Sequence, residues 1–358
     1  MKKLIIACFT VLSANSAQAQ ETGMKLWYDR PATQWVESLP LGNGRLGAMV
    51  YGDPIHEEFQ LNEETIWGGS PYNNTNPKAK EALPQIRQLI FESRNKEAQA
   101  LCGPNICSQT ANGMPYQTVG SLHLDFEGIS SYSNYYRELD IEKAVTTTRF
   151  TAGGVTYTRE AFTSFPDQLL IIRLTASEKG KLSFTARYST PYQENITKSI
   201  SSRKELQMDG KANDHEGIEG KVQFTALTRI ERNGGHMESV SDTLLRVRNA
   251  NSVTIYVSIG TNFINYKDIS GNARKTAQTY LKNAGKNYLK AKEAHCATYG
   301  KWFNRVSLDL GSNAQAAKPT DVRVHEFASA FDPQLAALYF QFGRYLLICS
   351  SQPGGQAA

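Results

Sequence analysis

Leu39-Pro40-Leu41-Gly42-Asn43-Gly44-Arg45-Leu46-Gly47-Ala48-Met49-Val50-Tyr51-Gly52 is answered a few residues later by Leu61-Asn62-Glu63-Glu64-Thr65-Ile66-Trp67-Gly68-Gly69. Gly42, Gly44 and Gly47 stand too close together for a helix, and glycine takes backbone angles that a side chain forbids. The first stretch therefore reads as a glycine-punctuated turn running into a strand over 46–51. The second places an amide, two carboxylates and an indole within six positions. That mix suits a sugar, because polar groups meet hydroxyls while an aromatic face covers the C–H side of a ring.

Outward from this pair, the chain from Met24 to about Asn265 is mostly strand. Alternating or β-branched runs occupy 144–150, 155–162, 168–174, 182–188, 222–230, 243–247 and 253–259, with breakers such as Gly153-Gly154 and Asn233-Gly234-Gly235 between them. So many strands with one helical interruption predict a large antiparallel sandwich. The interruption is 77–100, read as one or two surface helices with Pro84 opening the second. Residues 272–300 carry a helical stripe of Ala273, Ala277, Tyr280, Leu281, Ala284 and Tyr288, opposite a solvated face rich in lysine. Residues 306–310 read as a strand returning to the sandwich, and 321–331 as a short helix. Asp332-Pro333 is a helix start, with Asp as N-cap and Pro at the first position. The helix that follows is apolar on nearly all sides, which predicts burial on all sides. It carries Arg344 too centrally to span a membrane. The domain reading is a sandwich over 20–271, linker helices and the returning strand over 272–331, and the start of a helical domain over 332–358.

A net charge of +5 with no long basic run argues against nucleic acid as a partner. Residues 1–19 read as a secretory signal: Lys2 and Lys3, an apolar core over 4–12, and Ala17-Gln18-Ala19 before a cut that leaves Gln20 first. The expected location is secreted or periplasmic, without membrane insertion after cleavage. In such a compartment Cys102 and Cys107, joined by Gly103-Pro104-Asn105-Ile106, form a disulfide or remain two thiols in a loop. A zinc site there lacks further ligands at short spacing.

The two opening stretches, together with Met114-Pro115-Tyr116-Gln117-Thr118-Val119-Gly120-Ser121-Leu122-His123-Leu124-Asp125-Phe126, resemble the amino-terminal domain of glycoside hydrolase family 95. This is the family of α-L-fucosidases that joins a large sandwich to an (α/α)6 barrel. The resemblance implies hydrolysis of terminal α-linked L-fucose on a fucosylated glycan, with inversion and with no cofactor. It also implies that Gly343-Arg344-Tyr345-Leu346-Leu347-Ile348 lies on the first barrel helix. The family's general acid and base lie on later barrel loops, so the resemblance places no catalytic residue before Ala358. The expected fold is thus mainly β, with an incomplete (α/α)6 barrel whose remainder is supplied in cis or by a neighbouring chain.

Inverting hydrolysis needs two carboxyl groups about 6.5–9.5 Å apart. Glu63 and Glu64 are adjacent and face opposite ways on a strand, as do Glu57 and Glu58. Asp125 and Glu127 share a face, as surface carboxylates often do. The residues offered for sugar contact are Asn43, Arg45, Asn62, Glu63, Trp67 and Gln117. Trp67 reads equally as a sugar platform or a core residue. Asn43, Arg45 and Gln117 read equally as ligands or as groups that fix their turns. His123 between two leucines reads as structural, and Asp214-His215-Glu216 as a solvated turn rather than a metal site. Three other readings are a carbohydrate-binding sandwich without hydrolysis, an inactive gene fragment, and a related sandwich-barrel enzyme such as an α-L-galactosidase.

Overall fold

The structure is a computed structural model and describes residues 23–108, 113–192, 194–284 and 287–356. The signal sequence read over 1–19 lies outside the described residues. In chain order the elements are β1 (Lys25–Tyr28), β2 (Leu39–Gly42), β3 (Leu46–Val50), β4 (His56–Glu63), α1 (Ala79–Phe91), α2 (Asn95–Asn105), β5 (Gly120–Phe126), β6 (Ser133–Asp140), β7 (Val145–Ala152) and β8 (Val155–Thr163). They continue as β9 (Leu170–Ala176), β10 (Leu182–Ser189), β11 (Ile196–Ile200), β12 (Leu206–Lys211), β13 (Gln223–Asn233), β14 (His236–Ser241), β15 (Leu244–Ala250) and β16 (Ser252–Thr261). The last helices are α3 (Ala273–Leu281), α4 (Tyr288–Phe303), α5 (Thr320–Glu326) and α6 (Pro333–Ser350). The strands form two antiparallel sheets: nine in the order β1-β6-β7-β8-β9-β16-β13-β12-β11, and seven in the order β14-β15-β10-β5-β4-β3-β2. The sandwich expected from the strand pattern is present.

Burial explains which strands alternate. Along β10 every second residue is buried, as for a strand with one wet face. Nine of the ten residues of β16 are buried, because α3 lies on its outer side. Gly260 makes that approach possible, since a Cβ there would stand 2.5 Å from the Ala277 nitrogen. The main core lies between the sheets, with Phe59, Leu122, Leu124 and Phe184 meeting Leu139, Phe150, Ile172 and Ile255. Within it Arg159 pairs with Glu57 at 2.9 Å, both almost fully buried, and the guanidinium stacks over Phe126 at 4.0 Å. Among the described residues no helix is long and apolar enough to cross a membrane.

Several local expectations change. The returning strand over 306–310 does not form; those residues run as a loop. The Val306 carbonyl accepts from Gln341 Nε2 at 3.1 Å and Arg344 Nη1 at 2.9 Å, so α6 side chains take the place of a ladder partner. The stripe over 272–300 divides into α3 and α4, each capped by an asparagine, Asn272 and Asn287. Pro84 lies inside α1, and the break falls instead near Ser93, whose φ is +59°. Cys102 and Cys107 are free thiols: Cys102 lies in the final turn of α2, and its carbonyl accepts the Cys107 backbone N–H at 3.0 Å.

The last helix begins as expected, with Asp332 accepting from the Leu335 N–H at 3.0 Å. Its burial is one-sided. Leu335, Leu338, Gln341, Tyr345 and Cys349 are buried, whereas Tyr339 is 77% and Leu347 62% exposed. The buried face rests on α4 and on β2, with the Tyr345 hydroxyl donating to the Pro40 carbonyl at 2.6 Å.

Candidate functional site

The opening glycine stretch forms a β2–β3 hairpin, with Leu41 opposite Ala48 and Gly42 opposite Gly47. Asn43 braces its turn from inside. Its Oδ1 accepts the backbone N–H of Leu46 at 2.8 Å and of Arg45 at 3.2 Å, and its Nδ2 donates to the Ser164 carbonyl at 2.9 Å. The glycines serve close approach. Gly44 has φ +91°, and a Cβ there would stand 2.6 Å from Gln352 Cγ. At Gly42 a Cβ would stand 2.4 Å from the Cys349 carbonyl oxygen. The Gly44 N–H donates to that same carbonyl at 2.7 Å, so the turn caps one of the last carbonyls of α6. The hairpin is a socket for the carboxyl end of α6.

Arg45 locks the socket to the other sheet. Its Nε and Nη2 donate to the Gln168 side chain and carbonyl at 2.9 and 3.1 Å, and Nη1 donates to the Ile259 carbonyl at 2.7 Å. The guanidinium also lies 4.3 Å from the Tyr280 ring centre and 3.4 Å from Glu63 Oε1. Glu63 is 2% exposed, and its other oxygen accepts the Thr65 N–H at 2.8 Å and hydroxyl at 2.6 Å. Burial pushes its carboxyl above the ordinary range, with Arg45 opposing.

Beside this socket lies a cleft of about 210 Å³, lined in part by Arg45, Asn62, Glu64, Tyr116, Leu346 and Ser350. Glu64 Oε2 accepts the Gln356 N–H at 2.9 Å, which ties the loop after α6 to the sandwich. Trp67 stands at its rim. It is 38% exposed, its Nε1 donates to the Glu64 carbonyl at 2.9 Å, and it meets Tyr116 edge-to-face at 5.3 Å. The Tyr116 hydroxyl donates to the Glu63 carbonyl at 2.9 Å. Burial pushes the Cys349 thiol, also in the lining, up to about 12, so it is no nucleophile at neutral pH.

Of the residues singled out in the sequence, the structure leaves Asn62 and Trp67 open to the cleft or its rim. Asn43 at 2%, Glu63 at 2% and Gln117 at 5% exposure are enclosed, and their polar atoms brace the surrounding backbone. Gln117 Oε1 accepts the Asn213 N–H at 3.0 Å. Arg45 lines the cleft, yet its donors are spent on the scaffold. Glu64 and Tyr116, which the sequence reading did not offer for sugar contact, line the cleft. Strand alternation held no signal for Glu64, which lies in the turn just after β4.

The carboxylate pairs do not form dyads. Glu57 is paired with Arg159, and Asp125 meets His56 at 2.9 Å and Arg187 at 3.5 Å. Glu127 meets Arg246 at 2.9 Å. Among the described lining residues Glu64 is the one carboxylate. Asp214 accepts the Gly220 N–H at 2.9 Å and closes the polar turn around His215. His123 Nε2 meets Ser189 Oγ at 2.6 Å on the outer face of the sheet.

Comparison with known proteins adds to this geometry. Residues 26–266 match the model described as glycosyl hydrolase family 65, N-terminal domain, and residues 287–358 match that of the glycosyl hydrolase family 95 catalytic domain. The chain is 33% identical to "Alpha-L-fucosidase 2" of Arabidopsis thaliana over 94% of its own length and 43% of that protein. It is 30% identical to "Probable alpha-fucosidase A" of Aspergillus niger over 92% of its length and again 43% of the relative. The chain thus spans less than half of each. A solved structure titled as a putative kojibiose phosphorylase from human microbiome shares the fold, with a TM-score of 0.50 at 10% identity, covering 92% of this chain and 42% of that one.

Proposed function

The chain belongs to the glycosyl hydrolase family 65 N-terminal-domain family and runs on into a family 95 catalytic-domain match, and from that premise we propose that it serves an α-L-fucosidase. In this reading the sandwich and α6 form one wall of a site that releases terminal α-L-fucosyl groups from glycans by inversion. The acid and base carboxylates come from barrel loops that these 358 residues do not include. Residues 1–19 direct export, and Gln20 is the first residue of the mature protein.

The observation that carries the reading is the cleft where α6 enters the glycine socket. Tyr116, Asn62 and Glu64 line it, and the Trp67 indole packs edge-to-face against Tyr116. An aromatic surface for a sugar's C–H face stands beside groups for its hydroxyls. Among the described lining residues none opposes Glu64 with a second carboxylate, which fits a wall better than a complete catalytic centre. The test is a titration of 2′-fucosyllactose against the protein, followed by NMR. The Trp67 indole N–H and Asn62 side-chain amide resonances shift on binding, and Trp67→Ala weakens binding at least tenfold. Shifts confined to residues far from the cleft would refute the placement.

A further inference from the structure

The sandwich grips the chain at three points as it leaves α6. The Gly44 N–H holds the Cys349 carbonyl at 2.7 Å. Gln352 then lies against Gly44, where a Cβ would stand 2.6 Å from its Cγ, and its Nε2 donates back to the Ile348 carbonyl at 2.7 Å. The third point is Glu64, whose Oε2 accepts the Gln356 N–H at 2.9 Å. Between the last two, Pro353, Gly354 and Gly355 form an exposed turn, closed by the Gly355 N–H on the Gln352 carbonyl at 3.0 Å. Glu64 is itself well anchored. Its N–H donates to the Arg45 carbonyl at 3.0 Å, and its carbonyl accepts the Trp67 indole Nε1 at 2.9 Å. Gly355 leaves its carboxylate room, since a Cβ there would stand 3.0 Å from Glu64 Oε2.

We propose that Glu64 is a positioning residue for the reaction, an inference that rests on the α-L-fucosidase reading above. Its carboxylate sets the path of residues 351–356 and so holds the catalytic-domain side of the cleft in place against Trp67, Tyr116 and Asn62. Glu64 belongs to the amino-terminal match over 26–266, and Gln356 to the catalytic-domain match over 287–358. The bond between them therefore joins the two matched regions, across 292 positions of chain. Without it, residues 351–356 are tied to the sandwich at the Gly44 end alone, and the glycine-bearing turn is free to take other paths. A displacement of about 1 Å in a reacting geometry costs on the order of a hundredfold in rate.

The chemistry of the bond separates this role from an acid, base or electrostatic one. A backbone N–H is a neutral donor, and it asks only for an oxygen acceptor in the right place. Glutamine supplies that oxygen on a side chain of the same length, whereas alanine removes it. A carboxylate that worked through its charge or its proton would be lost in both.

The experiment measures turnover of a chromogenic α-L-fucoside by the protein extended through a full barrel, together with hydrogen exchange over 351–356. Glu64→Ala, Glu64→Gln and Asn62→Ala are compared with wild type. The expected result for Glu64→Ala is a kcat lower by about tenfold or more, with KM within about threefold, and lost protection of the Gln356 amide. Glu64→Gln recovers kcat to within about threefold of wild type and restores the protection. Asn62→Ala changes the cleft lining and keeps the Glu64–Gln356 bond, so Gln356 stays protected while KM rises. Glu64→Gln as slow as Glu64→Ala overturns the proposal, because the charge is then what matters. So does a free Gln356 amide in Glu64→Ala with kcat unchanged, or protection that Glu64→Ala leaves intact. An extended wild-type protein without turnover ends the fucosidase reading and this role with it. An active wild type with an equally active Glu64→Ala ends this role alone.

Discussion

Gly42→Ala is the sharpest perturbation of the socket. The added Cβ would lie 2.4 Å from the Cys349 carbonyl oxygen, 3.0 Å from its carbon and 3.1 Å from its Cβ. Ordinary contact begins near 3.4 Å, so the end of α6 must retreat by about 1 Å, and the obstacle is backbone that cannot rotate away. Retreat lengthens two hydrogen bonds, Gly44 N–H to Cys349 and Tyr345 hydroxyl to Pro40, now 2.7 and 2.6 Å. Overpacking costs about 1–3 kcal/mol and each weakened bond about 0.5–1 kcal/mol, for a total of about 2–5 kcal/mol. The control is Gly47→Ala in the same hairpin, where the new Cβ meets Asn62 Cβ at 3.5 Å and stays within normal contact. Hydrogen exchange followed residue by residue is the assay. Gly42→Ala loses protection across 345–350 and melts several degrees lower, whereas Gly47→Ala stays close to wild type. Equal effects of the two changes, or unchanged protection in Gly42→Ala, would refute the socket.

Three further outcomes follow from named contacts. Glu57→Ala leaves Arg159 charged in the sandwich core and destabilises by about 3–5 kcal/mol, measured by urea unfolding, because the guanidinium loses the carboxylate it pairs with. His295 is fully buried, donates through Nε2 to the Lys143 and Ala144 carbonyls at 3.0 and 3.1 Å, and has no hydrogen-bond partner for Nδ1 among the described residues. Burial lowers its pKa from 6.5 to about 4, so its contribution is whole above pH 6.5 and is lost as pH falls from there towards 4. The depth of that loss is about 3 kcal/mol, and His295→Gln flattens the melting temperature across this window. Tyr345→Phe removes the bond to Pro40 and costs about 1 kcal/mol by the same urea assay.

The strands were legible because a half-wet sheet writes its alternation into the sequence, as along β10. The inward and outward assignment at the site was less so. Glu63 and Asn43 carry polar side chains of the kind that meet sugars, and the structure spends both on bracing. What decides between the two uses is the partner that arrives from far along the chain: Ser164 for Asn43, Thr261 behind Thr65 for Glu63, Gln168 and Ile259 for Arg45. No local pattern announces such partners. The glycines were read as a turn, and they are one; their second use, admitting the end of α6, depends on contacts some 300 positions away in the chain. Val306 to Leu310 shows the opposite error. A β-like composition lost to side chains of α6 that claim the Val306 carbonyl.

The central claim is that these residues build a scaffold and a wall rather than a complete catalytic centre. It is tested most directly by turnover of a chromogenic α-L-fucoside, measured for the 358-residue chain and for the same chain extended through a full barrel. The expected result is release of the chromophore by the extended protein alone, with the rate falling in Trp67→Ala. Turnover by the 358-residue chain itself would contradict it and would make Glu64 the first carboxylate to replace.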